Sequence, residues 1–276
     1  MDLLQTILYS FVLGLTDILP VSAKAHSMLI SALGGGTSEP EFLRLLIHIG
    51  TLAALYMSCQ NHILRIIRAR RLSRIAKRKR TRPLDMNSLM DLRILETMLV
   101  PVVFAFIYHQ KLQSLVGILS ILAGVVLVNG LILYIPQYLP GSNKTSLSIS
   151  PFDSILMGIA AGLSLIPGLS FMGLLLSVAL MRGVEKSYAV NLALLLNIAM
   201  TIGYIVLDLM SIVRNGIGIL GFSGVLYGLI GAAAAFGGTY LGMFLMKKLA
   251  VSRGFAFFAY YCWGAAMFIF ILFLSV

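Results

Sequence analysis

The sequence predicts an all-α polytopic membrane protein, and three observations predict it. Of 276 residues, 59% are hydrophobic and 11% are charged, where an ordinary soluble domain carries about a quarter charged residues. The apolar residues fall in long runs, several of them near the roughly 20 residues that cross a hydrocarbon core. The net charge of +11 is concentrated in one place. This composition excludes an ordinary soluble protein and a disordered chain. A disulfide scaffold is excluded as well, because Cys59 and Cys262 are the two cysteines present. Both lie in apolar stretches without metal-ligand spacing and read as buried packing thiols.

In chain order, the first apolar stretch (2–34) is interrupted at Asp17-Ile18-Leu19-Pro20. Asp2 replaces a basic n-region and Pro20 breaks the apolar run, so this is not a secretory signal, and the segment is expected to stay in the mature protein. Three spans follow, at 41–62, 94–110 and 113–139, with a basic loop at 63–93. A second interrupted stretch, 152–183, breaks at Ile166-Pro167-Gly168, and three more spans follow at 187–212, 219–246 and 253–275. Proline removes a backbone donor and restricts its predecessor, so each interrupted stretch reads as a re-entrant helix hairpin. The alternative is one kinked spanning helix per stretch.

The two breaks resemble each other. Gly14-Leu15-Thr16 precedes Pro20 and Ser22, and Gly162-Leu163-Ser164 precedes Pro167 and Ser170. Each break is followed by a short apolar arm, a polar turn with Glu41 or Glu185, and a long span. The reading is a single membrane domain, 1–276, made of two repeats, 1–140 and 151–276. A hairpin returns to the side it entered, and three crossings are an odd number, so the second repeat is inverted. Short interrupted segments at matching positions point to a site at the repeat interface.

Ten of the 21 Lys and Arg residues lie between Arg65 and Arg82, where there is no Asp or Glu. Between two spans this run is a positive-inside signal that can touch anionic lipid, in preference to a nucleic-acid site. It places the 63–93 loop in the cytoplasm and both termini outside.

Asp17, Ser22, Lys24 and His26 crowd the first break, and ionisable groups at membrane depth are functional candidates by default. The competing readings are a structural polar cluster and, for Lys24, snorkelling to an interface. In the second break, Gly168 and Gly173 permit close backbone approach. Ser170 stands at a helix start, where it is either a plain N-cap or part of an anion site. His48 reads as a packed helical histidine that is able to line a pocket. Asp208 is expected to snorkel or pair with Arg214, and Asn191 and Asn197 to make interhelical hydrogen bonds.

These two breaks resemble those of the undecaprenyl-diphosphate phosphatases of bacterial cell-wall synthesis. The likeness covers nearly the whole chain, and its most specific part is Gly14-Leu15-Thr16-Asp17-Ile18-Leu19-Pro20-Val21-Ser22 followed by His26. It implies a multi-pass protein of the bacterial cytoplasmic membrane, with an outward-facing pocket that removes one phosphate from a polyprenyl diphosphate. It also implies His26 as nucleophile or general acid/base, with Asp17 orienting it or holding Mg²⁺ or Ca²⁺. Ser22, Ser170 and the amides near Gly168 and Gly173 would bind phosphate oxygens.

The departures are specific. The family's first Glu is Leu13 and its second is Asp17. The Arg of its second motif is Phe171, and a position that is often Gln is His48. Arg is the usual phosphate clamp, so Lys24 is expected to replace it as a point charge without the fork geometry. A non-catalytic relative that binds or translocates a polyprenyl phosphate is the alternative reading, and a membrane scaffold with a vestigial pocket is a third.

Overall fold

The computed structural model describes residues 2–33, 40–79, 82–141, 143–216, 222–252 and 255–275. Eleven α-helices form among them. The first interrupted stretch gives α1 (Leu3–Ile18) and α2 (Ala23–Leu33). A capping box between Asp2 and Gln5 starts α1, and the chain leaves helical geometry at Leu19, just before Pro20. The second gives α7 (Pro151–Leu163) and α8 (Phe171–Met181). Ser150 and Asp153 box the start of α7, with Pro151 in its first turn, and Ser170 is the N-cap of α8.

Five helices are long and apolar enough to cross a membrane: α3 (Glu41–Ser73), α6 (Leu119–Tyr134, extended by a 3₁₀ turn to Tyr138), α9 (Lys186–Asn215), α10 (Phe222–Ser252) and α11 (Ala256–Ser275). The chain is therefore a multi-pass helical membrane protein. Phe104, Ile107, Val206, Phe244 and Ile271 are among the large apolar side chains left on its outside, a surface suited to lipid and not to water.

Two boundaries differ from the sequence reading. The span expected at 94–110 belongs to α4 (Met86–Ile107), whose first half carries Asp91, Arg93 and Glu96. With these three charges α4 is not among the five marked as spanning by length and composition, although its 22 residues reach the roughly 20 that a crossing needs. The basic loop expected at 63–93 is narrower, because α3 continues through Arg65, Arg68, Arg70 and Arg71 to Ser73. Arg, Leu and Ala are good helix formers, and neither Gly nor Pro intervenes before Pro83. At 33 residues, α3 is about 50 Å long, well beyond the roughly 30 Å hydrocarbon core.

Packing is mostly between sequence halves. α1 lies on α10, α7 on α4, α3 on α9, and α6 on α11, while α10 also packs against α3. Small residues let these backbones close in. A Cβ at Gly238 of α10 would stand 2.2 Å from the Phe11 carbonyl oxygen, and one at Gly14 of α1 would stand 2.3 Å from that of Ala235. This is the small-residue packing expected where lipid supplies no hydrophobic drive between helices. Within each hairpin the two arms also touch, and the Tyr9 and Ser27 hydroxyls bond across the first at 2.7 Å.

Polar groups gather at the two ends. At the end that carries the basic run, Asp91 is bonded by His62 (2.8 Å) and by the Tyr188 hydroxyl, and Arg70 pairs with Glu96. Beside them the fully buried Asp153 carboxylate is held by Lys144 at 3.0 Å and Arg182 at 2.6 Å. Removing one partner of a buried pair leaves charge uncompensated. Asp153→Ala is expected to cost about 3 kcal/mol, which thermal unfolding in detergent will read. An unchanged midpoint would mean that solvent compensates both cations.

Cys59 and Cys262 are free and buried, as read from the sequence.

Candidate functional site

The tips of the two broken hairpins clasp each other. Ser22 Oγ accepts the N–H of Ala25 in the first turn of α2, and also the N–H of Gly168 at 3.2 Å. Ser170 Oγ accepts the Gly173 N–H (3.1 Å), as an N-cap does, and donates to the Leu19 carbonyl at 3.3 Å. Lys24 Nζ donates to the Leu165 carbonyl at 3.1 Å. Gly168 makes this approach with φ +98, a left-handed value that favours glycine. Asn129 of α6 braces the second tip, its Oδ1 accepting the Ser170 N–H at 2.9 Å. Ser22, Lys24, Gly168, Ser170 and Gly173 are thus brought together. Ser22 bonds the Gly168 N–H and Ser170 bonds the Leu19 carbonyl, so each serine is tied to the opposite tip.

Beside the clasp opens a cavity of about 580 Å³, whose lining includes Asp17, Lys24, Arg44, His48, Tyr204 and Asp208. Asp17 accepts a hydrogen bond from Asn197 Nδ2 at 3.1 Å, the interhelical role expected of that asparagine. The Lys24 ammonium lies 5.1 Å from the centroid of the Tyr204 ring. On the far wall the Asp208 carboxylate, only 6% exposed, takes Arg44 Nε at 2.7 Å and His48 Nδ1 at 2.6 Å. His48 stacks on Tyr204 with centroids 5.2 Å apart. The pairing expected between Asp208 and Arg214 gives way to this one. Residues six apart on a helix lie on different faces, whereas α3 presents Arg44 and His48, four apart, together.

Leu13, where the family carries its first Glu, also lines this cavity. Phe171, where it carries Arg, is buried and borders a void of about 30 Å³ that Asp17, Lys24 and Asn197 share.

His26 faces elsewhere. It follows Lys24 by two positions on α2, close to the opposite side of a helix, and lines a second cavity of about 350 Å³ with Val126, Tyr261 and Phe268. Its Nδ1 meets the Ser22 carbonyl at 2.7 Å and its Nε2 meets the Tyr261 hydroxyl at 2.7 Å. A carbonyl only accepts, so Nδ1 carries the proton, and Nε2 of the neutral ring accepts from Tyr261. The sequence reading expects His26 and Asp17 to work together; in the structure they line different cavities, on two sides of α2.

A divalent cation is a poor fit to these donors. Asp17 already accepts from Asn197 and has Lys24 nearby, and Asp208 is occupied by Arg44 and His48. Among the described residues no three His, Cys, Asp or Glu side chains group as metal ligands. Mg²⁺ and Ca²⁺ ask for more oxygen donors than one engaged carboxylate supplies.

Arg44 and Tyr204 are cavity residues that the sequence reading missed. Their signal was the spacing of Arg44 and His48 on one span, matched by Tyr204 and Asp208 on another, because polar pairs four apart on spanning helices mark facing surfaces.

Fold and site together define a multi-pass helical membrane protein with a charged cavity beside two joined half-helix tips. A family described as bacitracin resistance protein BacA matches residues 6–268, and the chain belongs to that family. It is similar to proteins named undecaprenyl-diphosphatase. One from Methanobrevibacter smithii is 30% identical over 98% of this chain and 97% of its own. Another, from Carboxydothermus hydrogenoformans, is 28% identical over 95% and 94%. The undecaprenyl-diphosphatase 1 of Shouchella clausii is 26% identical over 98% and 96%.

Proposed function

We propose that this protein hydrolyses undecaprenyl or a similar polyprenyl diphosphate to the monophosphate, recycling the lipid carrier of cell-wall synthesis. Family membership supports the reaction. The observation that carries it to these residues is the cavity itself, which Lys24, Arg44 and the Asp17 carboxylate line together beside the clasped tips. Phosphoryl transfer depends mostly on positioning and on charge stabilisation. Lys24 is the cation at the tips where Phe171 offers none, and the Leu165 carbonyl and the Tyr204 ring position it. Ser22, Gly168, Ser170 and Gly173 hold the two tips together beside the cavity. His26 fixes the first tip through the Ser22 carbonyl. No step is routed through a metal, because the donors do not fit one.

The architecture proposed with it is a pair of inverted repeats, 1–140 and 151–276, each a re-entrant hairpin with further helices. The cross-packing supports this, since α1 lies on α10 as α7 lies on α4. A Cβ on Gly162 would crowd Ala105 and Pro101 much as one on Gly14 would crowd Ala235. The Arg65–Arg82 run then faces the cytoplasm against anionic lipid, both termini are outside, and the cavity opens outward from the cytoplasmic membrane. One observation favours the alternative, a relative that binds or translocates a polyprenyl phosphate. With Phe171 in place of Arg, and Ser22 bonded to Gly168, the tips present fewer free groups to a phosphate.

The deciding experiment is phosphate release from C55 polyprenyl diphosphate by purified protein in detergent, with and without Mg²⁺. Release is expected, and it should be insensitive to chelator. Binding of the lipid phosphate without release would establish the alternative and sink the hydrolase reading.

A further inference from the structure

Two histidines flank the hairpin tips, and each has one ring nitrogen against a group that only accepts. For His26 that leaves an Nε2 already bonded to Tyr261. His48 differs. Its Nδ1 donates to the Asp208 carboxylate at 2.6 Å, so the neutral ring carries its lone pair at Nε2. That nitrogen has no hydrogen-bond partner among the described residues, and the ring lines the charged cavity. Tyr204, stacked at an interplanar angle of 13°, sets the plane of the ring. Arg44 holds the other oxygen of Asp208, which fixes the carboxylate in turn.

We propose that His48, oriented by Asp208, is the general base of this cavity, and that Arg44 and Asp208 are its positioning residues. The proposal rests on the hydrolase reading. A carboxylate that locks the tautomer of a histidine, whose second nitrogen faces the reacting space, is the arrangement proton-transfer sites use. The step balances with water as the co-reactant. Nε2 takes a proton from water, and the water oxygen bonds to the terminal phosphorus. The bond from that phosphorus to the bridging oxygen breaks, and the bridging oxygen leaves with the electron pair on the polyprenyl monophosphate. The proton then passes from Nε2 to the released phosphate or to solvent. Lys24 and Arg44, on the walls of the same cavity, face the charge that develops.

The test uses full-length protein in detergent micelles with C55 polyprenyl diphosphate, and measures kcat and KM separately. His48→Gln keeps a donor for Asp208 and a similar volume, so its fold is expected to survive. Its kcat is expected to fall about 100-fold or more, with KM within about threefold of wild type. His48→Ala should lose as much, and added imidazole should restore about tenfold of it, which no purely structural role explains. Asp208→Asn should lower kcat while Asp208→Glu recovers part of the loss. His62→Gln, a histidine–carboxylate pair at the other end of the protein, should leave kcat unchanged.

A His48→Gln enzyme with wild-type kcat would overturn the proposal and leave the hydrolase reading standing. So would a loss matched by lost thermal stability, with no imidazole rescue of His48→Ala. A wild-type protein that releases no phosphate would overturn the hydrolase reading, and this proposal with it.

Discussion

Lys24→Met is expected to abolish phosphate release, with a fall of about 100-fold or more in kcat/KM. The lysine is the cation nearest both tips. Its ammonium bonds the Leu165 carbonyl from the opposite hairpin at 3.1 Å and lies over the Tyr204 ring. Phe171, where the family resemblance places Arg, has no charge to offer. Methionine keeps the length and apolar stem of lysine and removes only the charge and its donors, so the variant isolates electrostatics from packing. Stability should change far less than activity. Losing one hydrogen bond costs about 1 kcal/mol, and the Gly168–Ser22 and Ser170–Leu19 bonds remain to hold the tips. Lys24→Arg is not expected to restore full activity, because the wider guanidinium must fit beside the Tyr204 ring. Phosphate release from Lys24→Met within about threefold of wild type would remove Lys24 from the chemistry and point to Arg44 as the main cation.

The second large effect is on folding. Gly238→Leu should prevent accumulation of folded protein, because a Cβ there would stand 2.2 Å from the backbone oxygen of Phe11 and 3.0 Å from the Leu15 nitrogen. Backbone atoms of a packed helix do not yield as the end of a flexible side chain does, so α1 and α10 must separate. The cost is about 3 kcal/mol or more. Gly264→Leu is the matched control, since a Cβ at that position meets nothing within 4 Å. Fluorescence-detected size exclusion of the two variants should give an aggregated profile for the first and a wild-type profile for the second. Equal profiles would mean that α1 is free to shift along α10.

Much of this fold is legible in the sequence because its strongest signals are local. Pro20 and Pro167 break helices wherever they stand, and Ser170 caps α8 through its own neighbour Gly173. Long apolar runs marked five spanning helices. The loop between α3 and α4 is narrower than 63–93 because Arg65, Arg68, Arg70 and Arg71 are good helix formers that extend α3 to Ser73, while the rest of the basic run follows the helix. The α4 boundary failed for the complementary reason, because Asp91 and Glu96 are buried or paired within a helix that continues past them.

The site is legible only in part, because its decisive contacts join distant segments. Lys24 and Asp17 announce themselves as charges in an apolar hairpin. That His26 turns to the other face follows from its two-residue spacing from Lys24, once the start of α2 is known. The pairing of His48 with Asp208 links α3 to α9 across most of the chain. Periodicity shows which residues share a face, and it does not show which two faces meet.

The cross-packing of the helices has a consequence for how the protein is made. α1 emerges before α10, and Ala235, whose carbonyl closes over Gly14, is synthesised long after it. Until then α1 has α2 and α3 as neighbours but not the α10 face that it packs against most. Asn197, which donates to Asp17, and Leu165, whose carbonyl takes Lys24, are likewise made after the first hairpin, so both charges gain these partners late. Truncation before α10 should leave an N-terminal fragment that cells recognise as an orphan and degrade, and separate supply of the missing half should rescue it.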